Sequence, residues 1–224
     1  MQKIFVVVLF VCFTFCTGSM NPPTSKPLSF LALGDSYTIG EGVSVNDCWP
    51  NQLALKLSDS GIPVSPPEII ARTGWRTDNL IAAIKAENLA EKYDLVSVLI
   101  GVNNQFQGKS IDVYKKDLRE LFNTAVNQCS HGKSGVFVLS IPDYGSTPFG
   151  KMEREAIGKE IDEWNLVCKG ICDEFEIPFY DITAISKKAS TDASLTTKDN
   201  LHPSGKMYAL WVDEIYQKVA ALVK

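Results

Sequence analysis

Apolar runs of strand length alternate with stretches of helical period along nearly the whole chain, and this alternation restricts the fold more than any other feature of the sequence. The strand-length runs cover residues 28–33, 68–72, 95–100, 136–141 and 177–180. Several of them are continuously apolar, as strands covered on both faces of a parallel sheet require. Between them, Ile111, Tyr114, Leu118, Leu121, Phe122 and Ala125 recur at helical spacing, as do Ile157, Ile161, Trp164, Cys168, Ile171 and Phe175. Further helices are expected over 50–58, 78–92 and 203–223. The order strand, helix, strand, helix predicts a single α/β domain over residues 28–224, layered α/β/α, and no linker or composition shift divides it.

The 26 acidic and 22 basic side chains leave a formal charge of −4, and no cluster of Lys or Arg offers the footprint that a nucleic-acid partner needs. Zinc-type Cys/His spacing, a phosphate-binding loop and a dinucleotide fingerprint are all missing, so the expectation is no metal and no cofactor. Residues 1–19 read as an export signal. Lys3 precedes the thirteen residues from Ile4 to Cys16, apolar except for Thr14, a stretch too short to span a bilayer as a helix. Two processing layouts stay open: ordinary cleavage near Thr17-Gly18-Ser19, or a lipoprotein signal that leaves Cys16 lipidated. Either implies an exported protein, secreted, periplasmic or anchored to the envelope. Residues 20–27 then read as a short extended tether.

Open parallel sheets place their sites beyond the carboxyl ends of the strands. Four segments there are informative: Gly34-Asp35-Ser36-Tyr37-Thr38-Ile39-Gly40-Glu41-Gly42, Arg72-Thr73-Gly74-Trp75, Gly101-Val102-Asn103-Asn104, and Asp199-Asn200-Leu201-His202-Pro203 ahead of the last helix. A serine hydroxyl becomes a competent nucleophile when an imidazole takes its proton and a carboxylate orients that imidazole. Of the two histidines, His131 sits where a helix frays, whereas His202 follows Asp199 by three residues in a loop entering a helix, whose first turn Pro203 is expected to occupy. Ser36, at the end of the first strand, is its natural partner. The backbone N–H of Ser36, the N–H of Gly74 and the side-chain amide of Asn103 could serve as donors to an oxyanion. Each residue also has a purely structural use, as a cap, a turn or a loop bond. Their occurrence together, in order and at successive strand ends, is what argues for acyl transfer.

The segments GDSYTIGEG, TGW, GVNN and DNLHPSG, in this order, resemble the four blocks of the GDSL, or SGNH, hydrolase family, across nearly the whole chain after the leader. The resemblance implies a flavodoxin-like five-stranded parallel sheet in the order 2-1-3-4-5. It also implies Ser36 as nucleophile, His202 as base, Asp199 as its orienter, and Ser36, Gly74 and Asn103 as the oxyanion hole. Two positions depart from the pattern: Tyr37 follows the serine where the family name has leucine, and Asn104 stands where many members have aspartate, which touches only the support behind Asn103. The string GVNNQFQGKS resembles a subgroup labelled lysophospholipase-like. The substrate implied is a small-molecule ester or thioester, such as a short-chain ester or lysophospholipid, with carbohydrate O-deacetylation as one alternative and a non-catalytic binding module on the same fold as another. Trp75 and Phe106 could wall an acyl pocket. Cys48, Cys129, Cys168 and Cys172 allow three two-bridge pairings, but buried thiols are the favoured reading.

Overall fold

In the computed structural model, which describes residues 26–87, 89 and 92–223, the apolar runs become strands covered on both faces. The leader, Cys16 and most of the tether lie outside the described residues. Strands β1 (Phe30–Asp35), β2 (Glu68–Arg72), β3 (Leu95–Leu99), β4 (Val136–Leu139) and β5 (Phe179–Tyr180) form one sheet in the order β2-β1-β3-β4-β5, with every pair parallel. Every residue of β1, β3 and β4 is buried, which is why their sequences do not alternate. The first apolar run ends at Leu33, yet β1 continues through Gly34 and Asp35, because Asp35 still pairs with Arg72 of β2. Leu28 lies ahead of the strand and only bridges Val64.

The helices are α1 (Ser36–Ile39), α2 (Trp49–Asp59), α3 (Thr77–Ala86), α4 (Val102–Phe106), α5 (Ile111–Gln128), α6 (Arg154–Phe175), α7 (Thr183–Ser186) and α8 (Gly205–Leu222). For this strand order, the right-handed rule for parallel crossovers puts α2 on one face of the sheet and α3, α5 and α6 on the other. Packing follows that division, with α2 against α8, and α5 against both α3 and α6. Trp49 of α2 packs on Phe30 and Phe137 of the sheet, and Tyr114 of α5 packs on Trp164 of α6 with ring centroids 4.7 Å apart. Helix α3 ends at Ala86 rather than at residue 92, where Glu87 turns extended (φ −79°, ψ 147°). Pro203 does not enter the first turn of the last helix. It pairs with Thr196 in an antiparallel bridge, and Ser204 caps α8 instead by accepting the Met207 N–H. Cys48, Cys129, Cys168 and Cys172 are all buried free thiols.

The chain leaves β1 for one edge of the sheet and later returns through β3 toward the other, so the carboxyl ends of β1 and β3 flank the topological switch point. Gly101 makes the exit from β3 workable. Its φ is +131°, and an added Cβ would sit 2.7 Å from the Tyr114 ring and 2.9 Å from Ile141.

Candidate active site

At the switch point β1 runs straight into α1, and the junction is held by Asp35. Its Oδ1 accepts the Tyr37 N–H at 3.0 Å, which leaves Ser36 as the first helical residue. Ser36 as a residue is buried, 4% exposed, and lines the cleft described below, so its hydroxyl is less openly presented than its strand-end position suggests. Asp35 is also buried, and among the described residues its Oδ2 finds no hydrogen-bond partner. Desolvation pushes its carboxyl up to about 7, against the opposing pull of the Tyr37 N–H. The folded state therefore binds a proton that the unfolded chain has released between about pH 4 and pH 7, and stability falls as pH rises through that window. Asp35→Asn keeps the acceptor for Tyr37 without the charge. Urea unfolding should lose stability by up to about 1.4 kcal/mol per pH unit in the parent and show a flatter profile in the variant. Equal slopes in the two proteins would mean that Asp35 ionises normally.

Between a short 3-10 turn at Ala193–Leu195 and α8, residues 196–203 form a tight loop. The Thr196–Pro203 bridge closes it and the Thr197 N–H donates to the His202 carbonyl at 2.8 Å. Asp199 organises the interior. Its Oδ1 accepts from the Thr197 hydroxyl at 2.6 Å and from the N–H groups of Leu201 and His202 at 2.8 and 3.0 Å, and its Oδ2 lies 2.6 Å from His202 Nδ1. Partial burial works to raise this carboxyl, but the Thr197, His202 and backbone hydrogen bonds outweigh it and hold Asp199 well below the usual carboxylate range. An ionised carboxylate only accepts, so the proton of a neutral His202 belongs on Nδ1, which leaves the Nε2 lone pair as the basic site. The ring packs against Tyr37 at 5.8 Å between centroids.

Gly74 and Asn103 come from the next two strand ends. Gly74 takes φ +82° in the turn between β2 and α3, a conformation that favours glycine although space for a Cβ is open. Asn103, on α4, donates one amide hydrogen from Nδ2 to the Trp75 carbonyl at 3.0 Å. An amide has two such hydrogens, and the second is unspent by this bond.

Ser36, Gly74, Asn103 and His202 line one cleft of about 140 Å³, with Asp199 behind the histidine. His131 lies away from it, half exposed, with Nε2 3.8 Å from Asp94. The remaining cleft walls are mostly apolar: Val102, Phe106, Tyr144, Phe149 and Leu201. Phe106 does reach the cleft, whereas Trp75 packs against the core instead. Tyr144 and Phe149 carry no periodic signal in the sequence, and their place after the fourth strand is the one cue to them. The three rings form a cluster with centroid separations of 6.0, 6.4 and 6.5 Å, in which Phe106 and Phe149 stay 58% and 52% exposed. The Phe149 N–H donates to the Asn200 carbonyl at 3.0 Å, joining this wall to the histidine loop. Among the described residues, no Lys, Arg, Asp or Glu lines the cleft. Among the described residues, no three His, Cys, Asp or Glu side chains converge as metal ligands would.

The profile of the GDSL-like Lipase/Acylhydrolase family matches residues 32–210. Among solved structures, the acetylxylan esterase Axe2 from Geobacillus stearothermophilus is 19% identical with a TM-score of 0.67, over 86% of this chain and 94% of its own. TesA is 17% identical with a TM-score of 0.66, covering 87% and 99% respectively. A member of the lipolytic protein G-D-S-L family from Veillonella parvula is 15% identical with a TM-score of 0.65, covering 84% and 96%. At such identities the likeness is one of fold. No curated protein matches the chain.

Proposed function

Since the chain belongs to the GDSL-like lipase/acylhydrolase family, a family of carboxylic ester hydrolases, we propose that it cleaves esters through an acyl-enzyme formed on Ser36. The observation that carries this reading is the meeting of Ser36, Gly74, Asn103 and His202 in one cleft, with Asp199 bonded to the far side of the imidazole. Ser36 Oγ attacks the ester carbonyl while His202 Nε2 takes its proton. The carbonyl oxygen gains a negative charge, which the N–H groups of Ser36 and Gly74 and the Asn103 amide stabilise. Collapse of the tetrahedral intermediate expels the alcohol, protonated by His202. Water then attacks the acyl-enzyme with His202 again as base, releasing the acid and restoring Ser36. Asp199 stays ionised throughout, fixing the tautomer and offsetting the imidazolium charge.

The cleft walls support an apolar acyl group longer than acetyl as the substrate's recognised part. Three aromatic rings flank the reacting centre, and among the described residues no cation lines the cleft to receive an anionic head group. The leader-like segment from Ile4 to Cys16 supports export, which fractionation of cells producing the full chain tests. Hydrolysis of p-nitrophenyl esters from acetate to palmitate, with Ser36→Ala as control, tests the activity. A maximum at acetate would overturn the apolar-chain reading and favour O-deacetylation. Absence of any serine-dependent rate, together with no labelling of Ser36 by a fluorophosphonate, would leave a binding module. In the Phe106→Ala/Phe149→Ala double variant, kcat/KM for hexanoate or octanoate should fall about tenfold relative to acetate, the worth of roughly two buried methylenes. An unchanged ratio would remove the rings from substrate recognition.

A further inference from the structure

Behind the cleft, Asn104 faces away from its neighbour Asn103 into a buried set of polar contacts that the reaction itself does not use. Asn104 is 1% exposed, Thr77 0% and Asp117 8%. Asn104 Oδ1 accepts the Thr77 N–H at 3.0 Å, Asn104 Nδ2 donates to Thr77 Oγ1 at 2.8 Å, and Thr77 Oγ1 donates to Asp117 Oδ2 at 2.6 Å. A backbone N–H can only donate, which settles that the amide presents its oxygen there and its nitrogen to the hydroxyl. The hydroxyl has one proton and spends it on Asp117. The contacts thus form a one-way chain: amide to hydroxyl to carboxylate, running from α4 through the first residue of α3 to α5.

We infer that Asn104, Thr77 and Asp117 are positioning residues for the oxyanion hole, and that an aspartate at 104 is tolerated only when 117 carries an asparagine. The inference rests on the assignment of Gly74 and Asn103 as oxyanion donors. Thr77 lies three residues beyond Gly74 and two beyond Trp75, whose carbonyl holds the Asn103 amide at 3.0 Å. Adjacent side chains of α4 therefore grip the same 74–77 turn at two points, Asn103 at Trp75 and Asn104 at Thr77. Asp117 anchors the grip from α5, which packs on α3. Two donors on different strand ends stabilise an oxyanion only if their spacing is fixed before the charge develops, and this chain fixes it. The departure at position 104 also gains a physical reason. With Asp117 already accepting from Thr77, a second carboxylate at 104 would compete for a single proton, whereas an amide supplies the donor that the hydroxyl oxygen still lacks.

The experiment measures kcat and KM on one p-nitrophenyl ester, per folded enzyme, well below each variant's Tm. Asn104→Asp should lower kcat about tenfold or more with KM nearly constant, because oxyanion contacts act in the transition state. Asp117→Asn should cost less, about threefold, since an amide oxygen can still accept from Thr77. Combining the two reverses the chain, with Asn at 117 donating to Thr77 and Thr77 donating to Asp at 104, and should restore kcat to within about threefold of the parent. Thr77→Val breaks the chain without adding charge and should lower kcat alongside Asn104→Asp. A double variant no better than Asn104→Asp, or single variants that lose Tm but keep kcat, would overturn the inference. Asn103→Ala separates the underlying reading: if it retains full kcat, the oxyanion assignment fails and the inference with it, whereas a loss there with intact kcat in the 104 and 77 variants overturns the inference alone.

Discussion

Ser36→Ala is expected to lower kcat by about four orders of magnitude or more, and His202→Ala by a comparable factor, while the double variant loses scarcely more than either single change. The reason is that, in the proposed mechanism, the two side chains act on one proton. Without His202 Nε2 the hydroxyl is a weak nucleophile at neutral pH, and without the hydroxyl the base has nothing to activate on the acyl path. What survives is stabilisation by the oxyanion donors and the cleft, which neither substitution removes. Both variants should fold, because Ser36 lies at the start of a short helix whose cap is Asp35, and the 196–203 loop is held by Asp199 contacts to backbone N–H groups as well as to the ring. Circular dichroism establishes the fold and ester turnover establishes the loss. Near-parental turnover by either purified variant sinks the assigned mechanism, and strictly multiplicative losses would show that the pair does not act as a unit.

The second large effect is at Asn103. Asn103→Ala should reduce kcat about 10²- to 10³-fold with little change in KM, the range found when one oxyanion donor is removed. Asn103→Asp should be worse than alanine although it is nearly isosteric, because a carboxylate has no hydrogen to give the oxyanion and repels it. It would also face the Trp75 carbonyl, acceptor against acceptor, where the amide now donates at 3.0 Å. Full kinetics on a single ester distinguish the cases. An aspartate variant more active than the alanine variant would show that position 103 contributes shape rather than a donor.

How much of this was legible in the sequence follows from how far apart the interacting residues lie. Ser36, Gly74, Asn103 and the pair Asp199 and His202 are readable because each sits in a short block after a strand-length run, and the three-residue spacing of Asp199 and His202 is local enough to imply contact. The sheet order came from the family resemblance and the strand count from apolar runs, and the structure has both. Hydropathy misplaced the end of β1, since Asp35 is kept in the strand by pairing with Arg72 rather than by an apolar side chain. Pro203 has the intrinsic preference for a first helical turn, but its bridge to Thr196 holds it in the loop. Tyr144 and Phe149 belong to an aperiodic segment and gain meaning only beside Phe106. The hydrogen bond between Thr77 and Asp117 joins residues forty positions apart, and no local pattern announces it.

One bond described above bears on how such an enzyme can change. The Phe149 N–H is tied to the carbonyl of Asn200, two residues before the base, and Asn200 itself holds a left-handed φ of +65°. The aromatic wall of the cleft and the loop that carries His202, the base of the proposed mechanism, are therefore joined by a backbone bond. Under the proposed mechanism, exchanging the segment after β4 to broaden the substrate range would disturb the His202 loop as well, which couples selectivity to turnover. Altered specificity is reached more directly from Phe106, whose ring packs on Phe149 but whose backbone belongs to α4 rather than to that strut.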